Sequence, residues 1–168
     1  MCTFFENVHI FRECAHFLGF LNVSDDEIRT AKRTLLFIAA AYGRLGVVDR
    51  LLRIKGIGVN VGSEPNDATP LYMACQKRHV ECARLLLAAN AAVDRAADAG
   101  WTPLGVACFR GHTECVKVLS SFGARRDPVA PDMSAEAVST HRGHTELTAW
   151  LVLSRAWTPL HHFEVVTA

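Results

Sequence analysis

The chain has 168 residues, half of them apolar, and its 18 Lys and Arg nearly balance its 17 Asp and Glu. The net charge of +1 argues against a nucleic-acid-binding or membrane-surface protein, because both normally need a clustered basic face, and Asp127 partly offsets the densest basic pair, Arg125-Arg126. No stretch approaches the roughly 18 uncharged apolar residues of a membrane span, which argues against membrane insertion.

Residues 1–33 are predicted to form an N-terminal helical cap. Five of the nine Phe lie in the first twenty residues, but charged residues interrupt this segment, and it lacks the basic start and cleavage site of a signal peptide. Ser24 and Glu27 form a capping box, which predicts a helix start. The six cysteines then predict reduced thiols in the cytoplasm, with the nucleus as an alternative.

A repeated pattern begins at residue 34 and predicts four helix pairs, in residues 34–68, 69–101, 102–133 and 134–155. Thr-Pro-Leu at 69–71 returns at 102–104, and Ala-Cys, His and Glu-Cys return at the same step. The units that begin at Thr34 and Ser134 align with these two. A fixed period with two apolar stripes is typical of an all-α solenoid, in which each pair buries its apolar face against its neighbours.

Each unit carries the signals of a short helix, a turn and a second helix. Thr caps the first helix, Pro occupies its first position, and Gly ends it in a left-handed turn. The second unit has Arg78 in place of this Gly, at an expected cost of about 1 kcal/mol if the left-handed conformation is kept. The fourth has Glu136 and Ser139 where sister units have Leu and Ala, so we expect its first helix to be frayed or shifted.

Residues 156–168 restart the pattern and are predicted to form an incomplete or capping repeat. Trp157-Thr158-Pro159-Leu160-His161 follows Ser134 by only 24 residues, which leaves almost no connecting loop. We expect either an atypical cap or the edge of a longer array.

These residues resemble the ankyrin repeat, a helix-turn-helix unit opened by Thr-Pro-Leu-His and turned by Gly-His. The resemblance covers about residues 34–155, with a fragment at 157–163. One departure is consistent: the His after Thr-Pro-Leu is replaced by Phe37, Tyr72, Gly105 and Ala137. The resemblance implies an ankyrin-type repeat solenoid that binds a protein partner.

Two copies of Cys-x3-His-x2-Cys raise the possibility of a zinc site, since Cys and His are preferred zinc ligands. The copies are Cys75, His79, Cys82 and Cys108, His112, Cys115. Sister units place Ala, Thr, Val or Leu in the cysteine positions, which predicts that the thiols pack in the core as small apolar groups. Metal binding or oxidation sensing by these residues is the alternative.

The exposed side of the first helices and the loop tips are predicted to form a concave partner-binding face. Tyr, Trp and Arg are enriched at binding hot spots, and several lie in this register. The predicted contact residues are Tyr42, Gln76, Lys77, Asp98, Trp101, Phe109, Arg110 and Arg142. The alternative is that Trp101 packs against a neighbouring loop and Phe109 against its own turn.

No motif for catalysis or cofactor binding stands out. The sequence has no nucleophile elbow, phosphate-binding Gly-rich loop or dinucleotide fingerprint. We therefore expect a monomeric scaffold or adaptor that is not an enzyme and needs no metal or cofactor. The alternative is a fragment of a larger ankyrin-containing adaptor, channel or enzyme.

Overall fold

The computed structural model describes residues 34–63 and 65–155. This part contains eight helices in four helix pairs: α1 (34–41) and α2 (Leu45–Leu52), α3 (Pro70–Gln76) and α4 (Val80–Ala88), α5 (Pro103–Arg110) and α6 (Thr113–Ser121), α7 (Ala135–His141) and α8 (Thr145–Leu153). The all-α solenoid prediction is confirmed. The predicted cap in residues 1–33 and the predicted incomplete repeat in residues 156–168 lie outside the described residues.

Three of the four first helices begin with the predicted hydroxyl cap. The side-chain oxygens of Thr69 and Thr102 accept hydrogen bonds from the backbone N–H of Tyr72 and Gly105, both at 3.1 Å. Ser134 does the same for α7 at 3.2 Å. Each cap satisfies one of the backbone N–H groups that a helix start leaves without an internal partner.

The turn after each first helix adopts the left-handed conformation. Its residue is Gly43, Arg78, Gly111 or Gly143, with φ of +66°, +64°, +72° and +75° in that order. Arg78 therefore keeps the glycine conformation although it carries a Cβ, which costs about 1 kcal/mol. The turn geometry is thus set by the stack and does not depend on glycine at this position.

The core forms where the first helices of successive pairs pack against one another and the second helices do the same. Among the first helices, α5 packs against both α3 and α7, and among the second helices α4 packs against both α2 and α6. A leucine or valine of each helix is fully buried, and burying such a side chain contributes about 1.5–3 kcal/mol. The core leucines and valines include Leu36, Val48, Leu71, Leu86, Leu104, Leu119, Val138, Leu147 and Leu151. The four cysteines of the repeats are also buried, so the prediction that they are core residues is confirmed.

The fourth pair corrects the expectation of a frayed or shifted first helix. Helix α7 is complete, and Ser139 is fully buried with its hydroxyl donating to the Glu136 carbonyl and 2.8 Å from the Thr148 hydroxyl. The Glu136 carboxylate lies 3.4 Å from the Arg155 guanidinium. Both polar residues thus have partners, and a buried polar group that is hydrogen-bonded carries little cost.

The loops between pairs bond to one another. Arg95 forms an ion pair with Asp67 at 2.8 Å, and the Ala92 N–H donates to the Asn60 side chain at 2.7 Å. These bonds hold successive loops in line with the stack. None of the helices in the described residues is long and apolar enough to cross a membrane.

Candidate partner-binding surface

A histidine from each following pair holds the end of the preceding first helix. His79 Nε2 donates to the Ala41 carbonyl at 3.2 Å, and His144 Nε2 donates to the Phe109 carbonyl at 3.1 Å. His112 donates from Nδ1 to the Cys75 carbonyl at 2.9 Å. Helix-end carbonyls lack partners within their own helix, so these bonds fix the ends that carry the candidate contact residues.

The different bond made by His112 follows from the side chain at Arg78. A Cβ added at Gly43 would overlap the His79 ring, and one added at Gly111 would lie 2.7 Å from the His144 ring. At the equivalent turn Arg78 does carry a Cβ, so His112 is excluded from that place. His112 therefore bonds through Nδ1 instead of Nε2. Its acceptor carbonyl lies one position earlier in the repeat than the carbonyls bonded by His79 and His144.

The predicted contact residues occupy two zones of the surface. Tyr42, Lys77, Arg110 and Arg142 stand at equivalent positions at the ends of the four first helices, and all are exposed, Tyr42 to 72%. Gln76 and Phe109, each one position earlier, are half-buried. Asp98 is exposed and Trp101 half-buried, and both lie in the loop that leads into α5.

Four of the predicted residues come together in the Phe109 cluster, which consists of Trp101, Phe109, Arg110 and Arg142. The Trp101 and Phe109 rings meet edge to face with centroids 5.3 Å apart. The Arg142 guanidinium lies 4.1 Å from the Phe109 ring centroid, and that of Arg110 lies 5.9 Å away. Two cations thus share one aromatic ring, whose face attracts positive charge.

Gly105 makes room for the tryptophan in this cluster. It stands where the resemblance would place His, and a Cβ added there would overlap the Val129 carbonyl and lie 3.3 Å from the Trp101 ring. The same Val129 carbonyl accepts from the Thr102 N–H at 2.9 Å and from its hydroxyl at 3.2 Å. The loop between the third and fourth pairs and the Trp101 ring therefore cover the start of α5, so packing of Trp101 against its surroundings is part of its role.

Charge is distributed unevenly over this surface. The four first helices and their turns (34–44, 69–79, 102–112 and 134–144) contain one carboxylate, Glu136, and five Lys or Arg. We call these five the basic row: Arg44, Lys77, Arg78, Arg110 and Arg142. All five are exposed, whereas the side chain of Glu136 is 13% exposed and faces Arg155.

The basic row has no acidic partner in the part of the chain that the structure describes. The ion pairs formed there join other residues: Asp49–Arg53, Glu81–Arg84, Asp67–Arg95, Glu114–Lys117, Asp94–Arg125 and Glu136–Arg155. Sequence reasoning selected Lys77, Arg110 and Arg142 but missed Arg44 and Arg78. The signal was available, because aligning the repeats places a cation at or beside every turn.

The Arg125-Arg126 pair is the densest basic part of the sequence. It differs from the basic row because both side chains have bonding partners within the chain. The Arg126 guanidinium donates to the Leu151 carbonyl at 2.8 Å and the Ser154 hydroxyl at 3.0 Å. Burial lowers the pKa of Arg126, although Glu136 opposes this shift. Arg126 therefore joins the loop between the third and fourth pairs to the end of α8.

In the two Cys-His motifs the cysteines lie in the core and the histidines form hydrogen bonds between repeats. The Cys75 thiol donates a hydrogen bond to Cys115, which raises the pKa of Cys75 and lowers that of Cys115. Burial raises the pKa of Cys108 to about 12. His79 and His112 bond to carbonyls of the preceding pair. Within residues 34–63 and 65–155, no three His, Cys, Asp or Glu side chains converge as metal ligands would.

Comparison with known proteins identifies the architecture. A family profile described as Ankyrin repeats (3 copies) matches residues 11–97 and 36–132, which together span well over half of the chain. The chain belongs to the ankyrin-repeat family. The first three helix pairs of the described part lie within the matched residues and are ankyrin repeats, which are protein-interaction modules.

Cortactin-binding protein 2 from several mammals is similar in sequence to part of this chain. The protein from Rattus norvegicus is 41% identical over 69 residues, that from Rhinolophus ferrumequinum 40% over 80, and that from Mus musculus 41% over 63. These matches cover 41%, 47% and 38% of this chain, but only 4%, 5% and 4% of the relatives. The chain thus spans only a few per cent of the length of these proteins.

Proposed function

We propose that this ankyrin array binds a protein partner on the face formed by the exposed ends of its first helices. The Phe109 cluster carries the proposal, because it combines two arginines with two aromatic rings on a packed helix end. Trp, Tyr and Arg are the residue types that dominate measured binding energies at protein interfaces. The predicted contact residues Gln76 and Asp98 would lie at its margins.

A partner must contact several repeats to form a stable interface with this face. A stable interface buries about 800 Å² on each partner, which is more than one helix pair presents. Tyr42, Lys77, Arg110 and Arg142 supply one exposed side chain from each of the four repeats at the same register. The stacked helices fix the backbone positions of these residues before binding, so little backbone entropy is lost on association.

Binding by this array would involve neither turnover nor a cofactor, and the array would act as a monomer. In a longer protein it would be the recognition part, which agrees with the small share of the relatives that it covers. The name of those relatives makes cortactin one partner to include in binding tests. The buried thiols fit a reducing compartment, so we place the protein in the cytoplasm or the nucleus.

The test compares two double variants of the immobilised protein in affinity purification with quantitative mass spectrometry. Tyr42→Ala with Arg110→Ala removes two exposed side chains from the proposed face. Arg53→Ala with Arg84→Ala removes two charges from second helices and serves as the control. We expect proteins that bind wild type to be retained by the control and lost by the first variant, with unchanged helicity in both. Equal retention by the two variants would contradict the proposal.

Trp101→Ala with Arg110→Ala tests the Phe109 cluster itself. We expect this variant to lose the same proteins as Tyr42→Ala with Arg110→Ala while its helical circular dichroism remains. A loss of helicity would show instead that Trp101 serves folding, through its contacts with Gly105 and Phe109.

A further inference from the structure

The basic row concentrates positive charge that the chain as a whole does not have. Over the full sequence 18 Lys and Arg face 17 Asp and Glu, yet the first helices and turns hold five cations and one carboxylate. The surface of the second helices is different, because Arg53, Arg84 and Lys117 are each paired with an acid on their own helix. Arg50 of α2 is the exception on that side, whereas none of the five cations of the basic row has an ion pair with a described residue.

Two cations of the row are held in place without a carboxylate. Arg110 and Arg142 both lie over Phe109, at 5.9 and 4.1 Å from its centroid. Arg110 is also close enough to Tyr72 to oppose the rise that burial causes in the pKa of that phenol. Aromatic faces position guanidinium groups while leaving their N–H donors free for a carboxylate. Two like charges near one ring form a site for an anion.

Acidic side chains close to the row limit the size of that anion. Glu81, Glu114 and Glu146 stand in the first turns of α4, α6 and α8, directly after the turns that carry the row. Glu81 and Glu114 are paired with cations of their own helices. Asp98 and Asp132 are exposed in the loops that lead into α5 and α7. A wide polyanion such as a nucleic-acid duplex would meet these carboxylates, whereas a single extended peptide can follow the row.

We propose that the basic row binds an acidic peptide segment of a partner protein. Its carboxylates face Arg110, Arg142 and Lys77, and an apolar side chain packs beside the exposed ring of Tyr42. This proposal rests on the binding function proposed above and adds the chemistry of the partner. Charge complementarity of this kind raises association rates and selects partners by sign.

The experiment measures fluorescence anisotropy of a labelled peptide that alternates Glu with apolar residues. The same peptide with Gln in place of every Glu is the control ligand. We expect the Glu peptide to bind wild type at least about tenfold more tightly than the Gln peptide, and raising the salt concentration to weaken its binding. Equal affinities for the two peptides, or tighter binding of a mixed-sequence DNA duplex, would overturn the proposal.

Three protein variants test whether the row is the site. Arg110→Gln with Arg142→Gln should lose about tenfold in affinity for the Glu peptide, while Arg53→Gln with Arg84→Gln, which removes the same charge, should bind like wild type. Arg110→Glu with Arg142→Glu should prefer a Lys peptide to the Glu peptide. With helical circular dichroism unchanged in this variant, a continued preference for the Glu peptide or equal binding of the two peptides would count against the site.

Competition separates this proposal from the one on which it depends. If proteins captured through Tyr42 and Arg110 are not displaced by excess Glu peptide, the array is still a binding module, but the proposal of an acidic partner segment is wrong. If capture does not depend on Tyr42 and Arg110, the proposed binding face itself is wrong.

Discussion

Replacing Gly111 by Ala tests the link between the turn of one repeat and the histidine of the next. The turn has φ of +72°, and a Cβ there would lie 2.7 Å from the His144 ring. The left-handed backbone costs a non-glycine residue about 1 kcal/mol. Displacing the ring also weakens its bond to the Phe109 carbonyl, worth about 1 kcal/mol. The free energy of unfolding should therefore fall by about 2 kcal/mol.

Gly143→Ala supplies the matched control within the same chain. Gly143 has φ of +75°, and no described atom lies within 4 Å of the place where its Cβ would be. This variant should therefore show only the backbone cost of about 1 kcal/mol. The comparison isolates the contribution of the histidine contact from that of the left-handed turn.

Urea unfolding followed by helical circular dichroism measures both variants, and a double-mutant cycle of Gly111→Ala with His144→Ala measures the coupling directly. We expect a coupling energy of about 1 kcal/mol. Additive effects of the two substitutions, with Gly111→Ala no worse than Gly143→Ala, would refute the reasoning. In that case the ring moves aside without loss, as His112 does beside Arg78.

Three further measurements address the turns and the thiols. Arg78→Gly should raise the free energy of unfolding by about 1 kcal/mol, because glycine relieves the left-handed strain; an unchanged or lower urea midpoint would show that Arg78 makes compensating contacts. The folded protein holds the Cys108 proton up to about pH 12 while the unfolded chain releases it from about pH 9, so stability should fall as pH rises through this range. At about pH 10.5, wild type should have lost about 2 kcal/mol more than Cys108→Ala, measured by urea unfolding at each pH, and parallel curves would contradict this. Iodoacetamide should label Cys75, Cys108 and Cys115 only as fast as the protein unfolds, because all three thiols are fully buried, and faster labelling measured by mass spectrometry would contradict their burial.

The fold was predictable because its signals are local and repeated. Thr69, Thr102 and Ser134 cap their helices as expected, and Arg78 adopts the left-handed conformation of the glycine that it replaces. The fourth repeat was misjudged because Glu136 and Ser139 were assessed without their partners. Those partners, Arg155 and Thr148, lie on or just after the second helix of the same pair, and a helix-by-helix comparison does not include them.

The candidate site was predictable in register but not in its contacts. Alignment of the repeats placed Tyr42, Lys77, Arg110 and Arg142 at equivalent positions, and the structure shows all of them exposed. The meeting of Trp101 with Phe109 depends on the missing side chain at Gly105 and on the position of a loop 24 residues further along the chain. Such contacts arise from stacking between repeats, which a single-repeat pattern does not encode.

The alternative bond made by His112 has a consequence for how this array can grow or be rebuilt. The turn residue of one repeat and the histidine of the next form a matched pair, so repeats are not freely interchangeable. A tandem copy of the third repeat would place His112 against Gly111 and reproduce the arrangement found at Gly43 and His79. A tandem copy of the second would place His79 against Arg78 and require the rotated ring at a second junction. Gene duplication, or the designer of a longer array, would therefore extend this protein more readily from the third repeat.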